Sequence, residues 1–166
     1  MGTPTSAGHA GTGEPGGVFR AELATDPASA RQARVSVRQA LAAWGIDDPS
    51  GDAELLASEL VANAAEHTGS HQIGFVLRRH TGRDGQRGVT CEVTDSSPAL
   101  PQPCQASASE ERGRGLAIVT ALAATSGVRP EASGKTTWFT LTLPGRLAAT
   151  CPAARRQLER EPEAGA

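Results

Sequence analysis

Glu59-Leu60-Val61-Ala62-Asn63-Ala64-Ala65-Glu66-His67 is the stretch on which the reading of this 166-residue chain turns. Leu56, Leu60 and Ala64 recur every fourth residue, as on one face of a helix. Glu59, Asn63 and His67 recur at the same spacing, and at 100° per residue they cover an arc of roughly 80° beside the apolar stripe. The pattern predicts a helix over 51–67, ended by Thr68-Gly69, with polar groups at the margin of its buried face. A carboxylate and an amide at such a margin can hold magnesium, a cation that keeps several waters and needs only one or two protein oxygens. The same spacing fits a solvated helix edge with an i,i+4 hydrogen bond, so the neighbouring segments have to decide.

Outward from that helix, residues 18–23 read as a short strand. Asp26-Pro27 is a helix start, a capping carboxylate followed by proline in the first turn. Ala30, Val37, Leu41 and Trp44 carry the helix to Gly45, a natural C-cap glycine. Strands are expected at 73–79 and 89–94, joined through the turn pair Asp84-Gly85. Residues 96–112 are polar, with prolines at 98, 101 and 103, and cannot form regular structure. A short apolar helix at 115–124 and an alternating strand at 136–143 complete the order. That order predicts an α/β two-layer sandwich with a mixed, mainly antiparallel sheet and helices on one face. Residues 1–17 are expected to be a disordered tail, 18–146 the working domain, and 147–166 a flexible or frayed-helical tail.

Two further segments can carry chemistry. Asp95 closes a strand and opens the turn Ser96-Ser97-Pro98. A carboxylate buried there can accept a hydrogen bond from an exocyclic amine such as that of adenine; an Asp that merely starts a turn fits the same residues. In Arg112-Gly113-Arg114-Gly115-Leu116-Ala117-Ile118-Val119, two glycines precede an apolar helix. They expose backbone N–H groups at a positive helix end, where phosphate oxygens bind, and the arginines add charge; a glycine-rich turn without a ligand is the plainer alternative. Gly134-Lys135-Thr136 resembles the end of a P-loop, but position 129 is Arg and a strand follows, so Lys135 is no P-loop lysine. No serine or histidine shows a nucleophile-elbow pattern.

Composition narrows the class. Net charge is −2, which argues against nucleic acid as a direct partner. No apolar run approaches the roughly 20 residues of a membrane span. The N-terminus lacks the apolar core of a signal peptide. Cys91, Cys104 and Cys151 are too scattered for a zinc site or a redox pair and fit a reducing compartment. A cytoplasmic location is expected.

Taken in order, these segments resemble the GHKL (histidine-kinase-like) ATPases. Residues 59–67 are similar to the family's N box. Asp95-Ser96-Ser97-Pro98 sits where the first glycine box belongs, Gly113–Val119 looks like the second, and Gly134-Lys135-Thr136-Thr137-Trp138-Phe139 resembles the third. The resemblance implies ATP and Mg2+ as cofactors: Asn63 as magnesium ligand, Glu59 as general base, Asp95 on the adenine amino group, and Arg112, Gly113, Arg114, Gly115 and Leu116 around the phosphates. Thr136 is expected to support the adenine pocket. The segment 99–112 looks like a short, proline-bearing lid, which implies slow turnover. Within the superfamily the chain most resembles the stand-alone anti-sigma-factor serine/threonine kinases of bacteria. That implies a small anti-anti-sigma (STAS-type) protein and a sigma factor as partners, and a homodimer among its forms. The alternative is a non-catalytic, nucleotide-dependent partner switch that sequesters a sigma factor or its antagonist.

Overall fold

The computed structural model describes residues 12–14, 17–97 and 114–144. Along the chain these form β1 (Thr12–Glu14), β2 (Val18–Ala24), α1 (Ser29–Trp44), α2 (Asp52–His67), β3 (Gln72–Thr81), β4 (Arg87–Asp95), α3 (Arg114–Leu122), β5 (Thr125–Glu131) and β6 (Gly134–Leu143). The strands make one sheet in the order β1-β2-β3-β4-β6-β5, and all five pairings are antiparallel. The α/β sandwich expected from the sequence is the architecture found.

Alternation along the strands separates the two faces of the sheet. Leu23, Ile73, Phe75, Leu77, Val89, Cys91, Val93, Phe139 and Leu141 point into one core, with Leu56, Leu60, Val61 and Ala64 of α2 and Val37 and Leu41 of α1. Phe19 meets Phe75 edge-on, ring centroids 6.4 Å apart. Burial pushes the Cys91 thiol far above its usual range, so it stays protonated and acts as a small apolar side chain.

Local chemistry sets the helix limits. Gly45 ends α1 at φ 63°, where a Cβ would be strained, and its N–H and that of Ile46 close back on Ala42 and Leu41. At the other end the helix begins two residues beyond the expected proline. Asp26 accepts the Ala28 N–H at 2.8 Å, and its carbonyl accepts the Ser29 N–H and hydroxyl. Asp48 does the equivalent for α2, taking the Ala53 N–H at 2.9 Å.

Two strands lie outside the sequence expectation. β5 is polar and contains Pro130, which reads as loop; it persists because it is an edge strand, where a missing N–H costs no ladder bond. β1 falls within the stretch 1–17 that reads as a tail, and its backbone pairs with β2. The C-terminal stretch 147–166 and the segment 99–112 lie outside the described residues.

Leu60→Ala, at a side chain only 1% exposed, is expected to lower unfolding free energy by about 2–5 kcal/mol in urea titration. Val35→Ser, at a position 41% exposed, should change it by under about 0.5 kcal/mol. Thr137 carries a buried hydroxyl with no hydrogen-bond partner, so Thr137→Val is expected to raise the melting temperature, by an amount equivalent to about 1 kcal/mol.

Candidate nucleotide site

The inward row of β4 runs Val89, Cys91, Val93 and then Asp95. Alternation thus carries a carboxylate into the same layer as the core. A bare charge there would be costly, and the register supplies its partner: Asp95 stands directly opposite Lys135 on β6. Lys135 Nζ donates to Asp95 Oδ1 at 3.0 Å, with side-chain exposures of 2% and 1%. The Ser97 N–H donates to the same oxygen at 2.8 Å, and Lys135 Nζ reaches the Ser97 carbonyl at 3.5 Å. The other oxygen, Oδ2, is buried with no hydrogen-bond partner among the described residues. The strand end can come this close only because residue 134 is glycine. A Cβ at Gly134 would collide with the Asp95 carbonyl, and its φ of 150° is one that side chains disfavour.

The margin of α2 supplies the second half of the site. Glu59 stands at the foot of α3: a Cβ added to Gly115 would lie 2.6 Å from Glu59 Oε2. Glycine at 115 therefore lets the start of α3 lie flush against the carboxylate. Further along α2, Thr68 Oγ1 is 2.9 Å from Ser96 Oγ and accepts the Ser96 N–H at 3.3 Å, which ties the end of the helix to the turn after Asp95. Asn63 lies between these two anchors, one turn beyond Glu59 and on the same stripe, about 40° round the helix. Asn63 is half-buried.

Glu59 thus meets Gly115 beside α2, and the Thr68–Ser96 contact ties the end of α2 to the turn that follows Asp95. Leu116 follows in the first turn of α3, half-buried. Arg114 begins α3, and its side chain lies outside what is described; Arg112 and Gly113 lie outside the described residues altogether. Thr136 does not join the site. It is paired with Thr94 on the opposite face of the sheet, where its hydroxyl meets Thr94 Oγ1 at 2.8 Å and Glu131 Oε1 at 3.0 Å. Hydrogen bonds from Arg129 and then Thr136 hold the Glu131 carboxyl below the usual carboxylate range. The expectation failed by one residue, which in a strand is a whole face. The residues that do point inward are Lys135 and Thr137. The signal for them was available: if positions 89–94 alternate up to Asp95 and a neighbouring strand follows Gly134, the odd positions 135 and 137 share the core face.

The donor set suits a nucleotide with a divalent cation. An unpartnered acceptor, buried beside a fixed positive charge, matches a ligand N–H. Glu59 presents an oxygen beside a glycine at a helix N-terminus, with Asn63 one turn further along α2. Among the described residues no group of three or more His, Cys, Asp or Glu side chains could hold a metal by itself. An ion here would be completed by phosphate oxygens and water, as magnesium prefers. No helix among the described residues is long and apolar enough to cross a membrane.

Comparison with known proteins agrees. No curated protein matches the chain. Among solved structures, the histidine kinase domain of a blue-light activated histidine kinase from Erythrobacter litoralis EL346 is 26% identical, with a TM-score of 0.39. The match covers 57% of this chain and 44% of that one, so the chain spans less than half the length of that kinase domain. The family profile described as "Histidine kinase-like ATPase domain" matches residues 23–141, from β2 through β6 and across every element of the site. The chain belongs to the histidine kinase-like ATPase domain family, a family of ATP-binding domains.

Proposed function

We propose that this protein is an ATP-dependent serine/threonine kinase of the anti-sigma-factor type, acting on a small anti-anti-sigma protein in the cytoplasm. The observation that carries the reading is the placement of Glu59, a half-buried carboxylate flush against the glycine that opens α3. Nucleotide phosphates at that helix N-terminus would lie beside a base. In this reading the base end of ATP reaches Asp95, and Asn63 is the protein's ligand to Mg2+. The ion neutralises charge on the phosphates as it redistributes. Glu59 takes the proton of the partner's serine hydroxyl as its oxygen attacks the γ-phosphorus, and ADP leaves with the electrons of the broken P–O bond. Arg112 and Arg114 steady the transferred phosphoryl group. The partner is captured over the open side of α2, and a sigma factor competes for the same protein.

Intact mass measurement of the partner after incubation with the full chain and Mg-ATP tests the kinase. The expected result is a gain of one phosphate on serine or threonine. Glu59→Gln is expected to slow that gain by about 10²- to 10⁴-fold while leaving ATP affinity within about threefold. Transfer unchanged in the variant would remove Glu59 from the chemistry. Partner capture that depends on nucleotide, with no mass gain, would identify a non-catalytic switch in place of a kinase.

Nucleotide binding has its own readout. Mg-ATP at a hundred times its Kd should stabilise the native chain by about 2.7 kcal/mol in thermal unfolding, because a ligand confined to the native state must do so. Asn63→Ala should retain binding without magnesium and lose most of the gain that magnesium gives.

A further inference from the structure

We infer that Lys135 is a positioning residue that fixes which oxygen of Asp95 faces the bound base, and so makes the site read a 6-aminopurine against a 6-oxopurine. The inference rests on the nucleotide-binding reading of the site and adds a residue to it. Three donor–acceptor facts carry it. Lys135 Nζ and the Ser97 N–H both donate to Oδ1, at 3.0 and 2.8 Å. Lys135 is itself anchored toward the Ser97 carbonyl at 3.5 Å. Oδ2 is left buried and without a partner. A carboxylate is normally free to turn about its terminal torsion. Here turning would break two donated bonds, one of them from a buried ammonium, so the same acceptor is presented each time.

An acceptor with no hydrogen of its own takes the N–H of an amino group at C6 and faces a keto oxygen with like charge. Lys135 also predicts what an amide would do in the same place. An ammonium tolerates an oxygen beside it and not an NH2. In Asp95→Asn, Lys135 would hold the amide oxygen in the Oδ1 position and turn the NH2 toward the base. The site would then donate where it had accepted, and its preference would invert. The Ser97 N–H favours the same orientation, so a positioning role for Lys135 is read from the preference lost when Lys135 is removed.

Calorimetric titration of the full chain with magnesium and three triphosphates tests this: ATP, inosine 5′-triphosphate, and purine riboside 5′-triphosphate, which has hydrogen at C6. Wild type is expected to bind ATP roughly 10- to 100-fold more tightly than either analogue, the range for a hydrogen bond to a charged group. Asp95→Asn is expected to favour the inosine nucleotide, and Asp95→Asn/Lys135→Met to show a weaker preference, since only the Ser97 N–H then orients the amide. Lys135→Met alone should cut the ATP-to-inosine ratio by about tenfold or more, beyond any loss of thermal stability, which is read separately without ligand. An Asp95→Asn variant that still prefers ATP overturns the inference, as does a Lys135→Met ratio within twofold of wild type. Should the variants not fold, wild type binding ATP and the purine riboside nucleotide equally overturns it as well. Wild type that binds none of the three refutes the nucleotide reading itself and not the orientation alone.

Discussion

Burial of one face of α2 is the constraint on which the rest of the molecule depends. That helix touches both other helices and three strands, β3, β4 and β6. Ala53, Leu56, Leu60, Val61 and Ala64 lie under the sheet's inward row and are almost fully excluded from water. The two leucines and the valine each contribute on the order of 1.5–3 kcal/mol relative to exposure, so the helix cannot rotate by even one position without losing several kcal/mol. Its orientation then fixes both flanks. Glu54, on one margin, meets Arg38 of α1 through a two-pronged contact. Glu59, about 140° away on the other, meets Gly115 of α3. The Arg38–Glu54 pair is exposed and adds little to stability. Its use is as a marker of which flank belongs to α1, which leaves the opposite flank for the glycine turn and the ligand.

The sheet imposes a second constraint of a different kind. Antiparallel register puts position 135 opposite position 95, and alternation turns both inward. Once a carboxylate occupies one of these positions, a cation at the other is the arrangement that keeps the charge buried; removing either partner alone typically costs about 3–5 kcal/mol. Gly134 and Ser97 then complete the corner, the first by lacking a Cβ and the second by donating its backbone N–H. The base end of the site is therefore over-determined by the fold. The phosphate end rests on far less, a glycine and the first turn of a nine-residue helix.

This contrast explains what could be read from the chain in advance. Long-period signals were plain. The stripe of α2, the Gly45 cap, the Asp84-Gly85 turn and the alternation of β4 each follow from local rules acting on consecutive residues. Glu59 and Gly115 were each read from their own local elements, and the structure brings these two side by side. Thr136 was misplaced because the family resemblance was followed instead of the strand's own alternation, in which Phe139, Leu141 and Leu143 mark the odd positions as inward. β5 was missed for a different reason: an exposed edge strand has no buried row to leave an apolar period, and Pro130 argues against it until the free edge is known. Lys135 was set aside as a failed P-loop residue. Its meaning lies in the residue across from it and not in those beside it.

The unpartnered Asp95 Oδ2 connects these arguments to binding. An unmet buried acceptor costs the empty protein about 1–3 kcal/mol, and packing elsewhere has to cover that deficit. Strain held at one place and supported elsewhere is common at functional sites. A ligand that donates to Oδ2 removes the deficit, so part of its affinity is stability that folding had withheld. The carboxylate is already oriented by Lys135 and Ser97, so none of that gain is spent in arranging the acceptor. In the reading proposed above, discrimination at Asp95 is set by folding, before any nucleotide arrives.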